Sequence, residues 1–311
     1  MTGYTLRQSF ILFLTAVIWG VAFVAQSAGM EYLGPFTYNG VRSVLGGLVL
    51  LPCIALLNRL QGKNGKEVPC EQETEAAGER AGDRRQLLTG GLCCGVVLFA
   101  ASNFQQFGIQ YTTVGKAGFI TAMYILIVPL LGLLLHKKVG MQVWMGVLYG
   151  IAGLYLLCMK DSFRLEKGDA LVLVCAVIFS LHILVIDHFS QKVDGVKMSC
   201  IQFWVCGILS LFCSLLFESP DLQSILASWL PICYGGIMSC GVAYTLQIIG
   251  QKGMNPTVAS LILSLESVVA VVAGFLILGQ SMSRRELFGC LMMVMAIVSA
   301  QLPERKKDIS S

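Results

Sequence analysis

A single carboxyl group within a long apolar run is the residue best suited to do chemistry. Glu266 falls in the run 257–278, roughly 14 Å from its start if the run is helical. A carboxylate in the bilayer centre costs at least about 2.5 kcal/mol, and such groups face a cavity or a bundle interior. Its helical face carries small residues, and bulky aliphatic residues take the opposite face. We expect Glu266 to couple protons or to balance a substrate amine; the alternative is a structural carboxyl bonded to nearby serines.

Arg42 and His182 also carry ionisable groups inside apolar runs. Arg42 lies near one end of the run 38–57, where it could hold a substrate carboxylate, pair with an acidic group or reach the lipid headgroups. His182 could relay protons, although a lone histidine in such a run is more often a hydrogen-bonded residue of the bundle.

Two stripes of polar side chains follow helical spacing in separate apolar runs. Asn103 and Gln106 share a helical face in the run 87–109, and Tyr244 and Gln247 share one in the run 229–249. The stripes could face each other across a central cavity and line it. The alternative is hydrogen bonding between helices, worth only about 0.6 kcal/mol per pair inside a membrane.

The elements that must position these residues are membrane-spanning helices. The 311-residue chain is 56% hydrophobic and only 13% charged, whereas an ordinary soluble domain is about 25% charged. Apolar runs of roughly 20 residues can cross the hydrocarbon. The sequence predicts ten such helices, at 8–30, 38–57, 87–109, 117–135, 139–159, 170–186, 198–217, 229–249, 257–278 and 287–302. The predicted fold class is therefore an all-α membrane protein with ten transmembrane helices.

The distribution of basic residues predicts the orientation. If the N-terminus is cytoplasmic, most Lys and Arg residues fall in segments on the cytoplasmic side, as the positive-inside rule requires. Both termini are then cytoplasmic. The long hydrophilic segment 58–86, which lacks apolar periodicity, is predicted to be a loosely ordered cytoplasmic loop.

No cofactor or metal is expected. The twelve cysteines fall mostly within the apolar runs and show no metal-ligand spacing. Cysteine at such positions acts as a small apolar packing residue.

A weak internal repeat divides the chain into halves. A shift of 141 positions places Gly95 on Gly236, Gln106 on Gln247 and Asn103 on Tyr244. Each half then holds five helices, a first repeat at 8–159 and a second at 169–302. An odd number of helices per repeat places the halves in opposite orientations, as in many secondary transporters.

Short motifs in both halves are similar to those of a known family. They are Trp19-Gly20, Arg42 after Pro35, the stretches 110–121 and 127–131, Tyr234-Gly-Gly236, Ala243-Tyr244 with Gln247, and 259–268 around Glu266. Over nearly its whole length the chain resembles the EamA group of the drug/metabolite transporter superfamily. Two positions depart from the family pattern: Ser267 follows Glu266 where proline is frequent, and Gln280 follows Gly279 where glutamate is frequent.

The resemblance implies two inverted five-helix repeats with a substrate cavity between them, and it adds Trp19 to the residues expected on the transport path. It also implies transport across a bacterial inner membrane, often as export of amino acids, metabolites or amphipathic compounds.

We expect a secondary transporter, because the sequence contains no ATP-binding loop. Its partners would be a small-molecule solute, the lipid bilayer and protons; nothing indicates nucleic acid or an oligomer. The alternative is a non-transporting membrane sensor or scaffold, which would usually carry a soluble module. An intramembrane enzyme would need a nucleophile and base, or a metal site, at membrane depth, and the sequence supplies neither.

Overall fold

The computed structural model describes residues 3–62, 73–112, 114–135, 139–158, 166–278 and 283–301. Within these ranges all regular structure is helical, with no strand. The helices are α1 Gly3–Gly29, α2 Pro35–Gly62, α3 Glu73–Ile109, α4 Val114–Thr121, α5 Tyr124–Leu134, α6 Met141–Cys158, α7 Lys167–Ser190, α8 Gly195–Phe217, α9 Leu222–Ala227, α10 Trp229–Cys233, the π-helical segment Tyr234–Tyr244, α11 Thr245–Gln251, α12 Pro256–Leu263, α13 Leu265–Leu278 and α14 Arg284–Gln301.

Seven helical stretches are long and apolar enough to cross a membrane, and Met141–Leu156 and Pro256–Val272 are shorter apolar helices among the described residues. Large apolar side chains such as Leu148, Phe212 and Leu291 are exposed on the outside of the bundle. In water such a surface would be unfavourable, whereas in a bilayer it faces lipid. The arrangement is consistent with a multi-pass membrane protein.

The hydrophilic segment 58–86 is more ordered than predicted. Helix α2 continues to Gly62, and α3 begins at Glu73, so both ends of the segment are helical. The prediction of a loose loop was wrong for 73–86, where glutamate, alanine and arginine are strong helix formers. Positions 63–72 of the predicted loop lie outside the described residues, as do the repeat ends at 159 and 302.

Two runs predicted as continuous helices are interrupted. The run 117–135 breaks at Ala122–Met123, between α4 and α5, and the run 257–278 breaks at Ser264, between α12 and α13. At the second break the Ser264 hydroxyl donates to the carbonyl of Leu261 in the preceding turn at 2.7 Å. The helix is interrupted two residues before Glu266, and Ser267 follows Glu266 where the resembled family often has proline.

The helices pack closely in pairs. Helix α6 packs on α14, α2 on α8, and α3 on both α7 and α8, while α1 packs on α13, α11 and the π-helical segment. Glycines permit the closest approaches: a Cβ at Gly146 would lie 2.7 Å from the carbonyl oxygen of Ala296, and one at Gly95 would lie 2.6 Å from the Cβ of Val205. Small residues of this kind let membrane helices approach each other.

Candidate functional site

A cavity lies in the centre of the bundle and is lined by helices from both halves of the chain. Its aromatic and apolar walls come from Trp19, Phe23, Tyr124, Phe179, Ile183, Tyr244 and Leu263. Its polar walls come from Gln26, Arg42, Gln105, Thr121, Ser239, Gln247 and Glu266. The volume of the cavity is about 40 Å³. The cavity is therefore narrow in this conformation.

Glu266 lies in the cavity wall, in the first turn of α13. Its side chain is 5% exposed, and its Oε1 accepts a hydrogen bond of 3.1 Å from the Tyr124 hydroxyl. Helix α1 fixes the backbone from behind, because a Cβ at Gly20 would lie 2.7 Å from the Glu266 carbonyl oxygen. The carboxyl is thus held in place by two neighbouring elements and faces the cavity.

Arg42 lies in another part of the wall, on α2, and is 4% exposed. Its guanidinium carbon lies 5.3 Å from the centroid of the Tyr38 ring, a cation–π contact. It makes no ion pair or hydrogen bond with any residue in the described part of the chain, and its buried Nε has no partner there. The structure places this cation in the protein interior, not at the headgroups, with its hydrogen-bonding capacity unused.

Aromatic rings form another part of the cavity wall. Trp19 packs edge-on against Tyr244, with ring centroids 4.6 Å apart. Tyr244 also contacts Phe203 at 5.4 Å and His182 at 6.0 Å. Edge-to-face pairs at these separations are favourable and hold the rings rigidly. Of these rings, Trp19 and Tyr244 line the cavity, so this part of its wall is aromatic.

Several buried polar atoms in the wall have no partner among the described residues: Trp19 Nε1, Gln26 Oε1, Arg42 Nε and Gln247 Oε1. Buried polar groups in proteins are almost always hydrogen-bonded. Both donors and acceptors are therefore available in the wall of this cavity.

Comparison with known proteins identifies the group to which this fold belongs. The family model described as the EamA-like transporter family matches residues 7–159 and again residues 166–300. The chain belongs to the EamA-like transporter family. This family is part of the drug/metabolite transporter superfamily.

Relatives of this EamA-like chain carry transporter names without an assigned substrate. A protein of Archaeoglobus fulgidus named an uncharacterized transporter is 27% identical over 94% of this chain and 84% of its own. The uncharacterized inner membrane transporter YedA of Escherichia coli is 24% identical over 94% of this chain and 89% of its own. A solved crystal structure with 19% identity covers 95% of this chain and 96% of its own, with a TM-score of 0.73, and is similar in fold.

Five of the eight residues predicted for the transport path of this EamA-like protein line the cavity: Trp19, Arg42, Tyr244, Gln247 and Glu266. The other three do not. The amide of Asn103 accepts from Asn39 at 3.0 Å and donates to the Phe99 carbonyl at 2.7 Å and to Ser210 at 3.1 Å. Asn103 therefore forms hydrogen bonds between helices, which is the alternative considered above.

Gln106 and His182 are likewise used within the bundle. The Gln106 amide donates to the backbone carbonyl of Gln26 at 3.2 Å. His182 is fully buried, and its Nε2 lies 3.2 Å from the side-chain oxygen of Gln202. Its ring contacts the Tyr244 ring, with centroids 6.0 Å apart, but His182 is not among the residues that line the cavity.

The π-helical segment Tyr234–Tyr244 replaces a predicted α-helical stretch. Such segments are rare and frequently occur at functional sites. It brings Ser239 and Tyr244 into the cavity wall. Its glycines allow close contact with α2: a Cβ at Gly236 would lie 2.7 Å from the Leu45 side chain, and one at Gly235 would lie 2.9 Å from the Tyr38 hydroxyl.

Several cavity residues were missed from the sequence, including Gln26, Gln105, Thr121, Tyr124 and Ser239. A signal existed for Gln26, because Trp19, Phe23 and Gln26 follow the spacing of one helical face. Thr121 and Tyr124 flank the break between α4 and α5, which no sequence feature indicated. Among the described residues no group of three His, Cys, Asp or Glu side chains could hold a metal.

Proposed function

We propose that this chain is a secondary transporter that moves a small amphipathic metabolite or amino acid across the cytoplasmic membrane by alternating access, in the direction of export. The observation that carries the proposal is the central cavity, whose wall contains a buried cation with no ion-pair partner among the described residues, a buried carboxyl and aromatic rings. The relative YedA is named an inner membrane transporter, which supports the proposed location.

We further propose ten membrane-spanning segments arranged as inverted repeats at 8–159 and 169–302, with both termini in the cytoplasm. The packing supports this, because the most extensive contacts between helices have an equivalent when the halves are exchanged. The contact of α3 with α7 corresponds to that of α11 and the π-helical segment with α1, and α3 with α8 corresponds to the π-helical segment with α2. The helix breaks also correspond, because a shift of 141 positions places Met123 on Ser264.

The proposed solute carries an anionic group and an apolar or aromatic body. Arg42 would bind the anion, because a buried guanidinium without a counter-ion is costly and gains most from an ionic hydrogen bond. The Trp19 and Tyr244 rings would contact the apolar body. Gln26 and Gln247 offer carbonyl oxygens that would accept from the solute.

Glu266 would supply the coupling. The carboxyl faces the cavity, which would contain water when it opens to either side. Glu266 can therefore take up a proton or a substrate ammonium from the cavity. The proton would be released when the cavity opens to the other side. A proton gradient could thus drive the solute without ATP.

The test is transport by the purified full-length protein in proteoliposomes, first with a panel of radiolabelled amino acids and sugars. With an accepted solute, Glu266→Gln should lower uptake driven by a pH gradient at least about tenfold, equivalent to about 1.4 kcal/mol, while counterflow exchange persists. The matched control is Glu31→Gln, which changes an exposed carboxyl outside the cavity. Transport at the rate of the control in both assays would remove the coupling role, and no transport of any solute would favour a sensor or scaffold.

A further inference from the structure

The start of α13 bridges the break in the opposite half of the chain. Tyr124, the first residue of α5, donates its hydroxyl proton to Glu266 at 3.1 Å. The next residue of α13, Ser267, donates to the carbonyl of Gly118 in α4 at 3.3 Å. Two adjacent residues of α13 therefore hold the chain on both sides of the α4–α5 break.

This bridge lies beside a second break, at Ser264. Two interrupted helices, one from each half, are thus joined by two side-chain hydrogen bonds where each can bend most easily. Only one of the two bonds includes an ionisable acceptor. The contact of Tyr124 with Glu266 will be strong when the carboxyl is ionised, because charge-assisted hydrogen bonds are roughly twice as strong as neutral ones.

We propose that the Tyr124–Glu266 hydrogen bond is a charge-sensitive latch between the two broken helices, with Tyr124 as the positioning residue. With Glu266 ionised, the latch holds the halves together at the breaks and keeps the cavity narrow. Uptake of a proton or of a substrate ammonium by Glu266 weakens the bond and frees α4–α5 to move relative to α12–α13. The proposal rests on the proposed function insofar as Glu266 exchanges protons with the cavity.

Few other groups compete for the carboxyl. Among the side chains that the structure describes, the titratable or charged groups that face this region are the Tyr244 hydroxyl from the π-helical segment, the Cys175 thiol from α7 and, across the cavity, Arg42 from α2. Helix α12 and helix α6 contain no Asp, Glu, Lys, Arg or His. The charged residues of α1 and α14 lie near the first ends of these helices: Arg7 is the fifth residue of α1, and Arg284, Arg285 and Glu286 are the first three of α14. Tyr124 is the hydrogen-bond donor that reaches the carboxyl among the described residues.

The test needs no known substrate. Hydrogen exchange of the full-length protein in detergent or nanodiscs is followed by mass spectrometry in peptides that cover 117–126 and 259–268, after correction for the intrinsic effect of pH. We expect protection of both peptides in the wild type to fall about fivefold on acidification, the difference between a charged and a neutral hydrogen bond. In Tyr124→Phe, both peptides should have the same low protection at high and low pH. The same result is expected in Glu266→Gln.

The matched control is Tyr155→Phe, which removes the hydroxyl of an exposed tyrosine on α6 and should retain the wild-type pH profile. Ser267→Ala removes the uncharged bond, so it should lower protection at all pH values but preserve the pH dependence. It also gives a readout if Tyr124→Phe does not fold.

Two results would overturn the latch: a wild-type pH profile in Tyr124→Phe, or protection of the wild type that does not depend on pH. The proposed coupling is judged separately, by pH-driven uptake of Glu266→Gln. Lost uptake with an unchanged exchange profile in Tyr124→Phe would remove the latch alone. Normal uptake in Glu266→Gln would remove the coupling role, whatever the exchange data show.

Discussion

The polar stripe of α3 and its equivalent in the second half have different surroundings, although the sequence makes them look alike. In α3, Asn103 bonds to residues on two neighbouring helices, and the Gln106 amide nitrogen donates to the backbone of α1. In the second half, Tyr244 and Gln247 line the cavity. The side-chain oxygens of Gln106 and Gln247 both have no partner among the described residues, so the cavity lining distinguishes the two stripes. Helical spacing identifies a polar face, but the partners opposite that face decide whether it packs or binds.

The two stripes also differ in backbone. The π-helical segment ends at Tyr244, whereas α3 is a regular α-helix at the corresponding positions. Asn39 on α2 and Ser210 on α8 satisfy the amide of Asn103. We call Tyr244 and Gln247 the cavity stripe, and Asn103 and Gln106 the α3 stripe. Substitutions in the cavity stripe should change transport, and substitutions in the α3 stripe should change stability.

The largest effect should come from removing the cavity cation. Arg42→Gln should raise the KM for an anionic solute about 10- to 150-fold, because a hydrogen bond to a charged group contributes about 1.5–3 kcal/mol. The control is Arg285→Gln, which changes an exposed arginine that also lies 5.3 Å from a tyrosine ring centroid. Equal kinetics in the two variants would remove the anion site.

A smaller effect should follow from changing the cavity stripe of the second half. Gln247→Leu should raise KM about tenfold through the loss of one hydrogen bond to the solute, with little change in thermal stability. Gln251→Leu, one turn along α11, changes another buried glutamine outside the cavity lining and should transport like the wild type. If the two variants behave alike, Gln247 is a packing residue.

The smallest kinetic effect should come from the α3 stripe. Asn103→Ala should lower the free energy of unfolding by about 1–2 kcal/mol, since it removes three hydrogen bonds that are each worth about 0.6 kcal/mol in a membrane. Transport per folded molecule should be unchanged. A lower melting temperature with normal KM supports the comparison, and a raised KM with normal stability contradicts it.

The equivalence of the stripes also depends on the inverted orientation of the halves. Reporter fusions after Glu31 and Asp221 should be periplasmic, and a fusion after Asp194 should be cytoplasmic, if the helices cross as proposed. Fusions after Glu31 and Asp194 on the same side would exclude the inverted repeat, because equivalent connections would then have the same orientation.

The long apolar runs predicted the positions of the helices, because the bilayer requires about 20 apolar residues in each of them. The breaks could not be predicted: the Ser264 hydroxyl bonds to the preceding turn, and Ser260 makes the same kind of bond within α12 without a break. The π-helical segment depends on close packing of Gly235 and Gly236 against α2, which one sequence does not reveal. The prediction for 73–86 failed because hydrophilicity was given more weight than helix propensity.

Part of the candidate site could also be predicted from the sequence, because an ionisable residue in an apolar run is unusual. The interior position of Glu266 followed from the small residues on its helical face, and a cation such as Arg42 inside an apolar run is conspicuous by itself. Tyr124 and Gln105 carry no such signal, because tyrosine and glutamine occur in many membrane helices and only the tertiary contacts bring them to the cavity. Asn103 looked the same as Gln247 until its partners were known.

Accessibility of single cysteines tests most directly whether the cavity is the path of the solute. In a background without the twelve native cysteines, Ser239→Cys, Gln247→Cys and Asn103→Cys are treated with a small water-soluble thiol reagent, with and without an accepted solute. We predict that Cys at 239 and 247 reacts, that the solute protects both positions, and that Cys at 103 is inert. Equal inertness of all three positions, or reaction that the solute does not slow, would contradict the account.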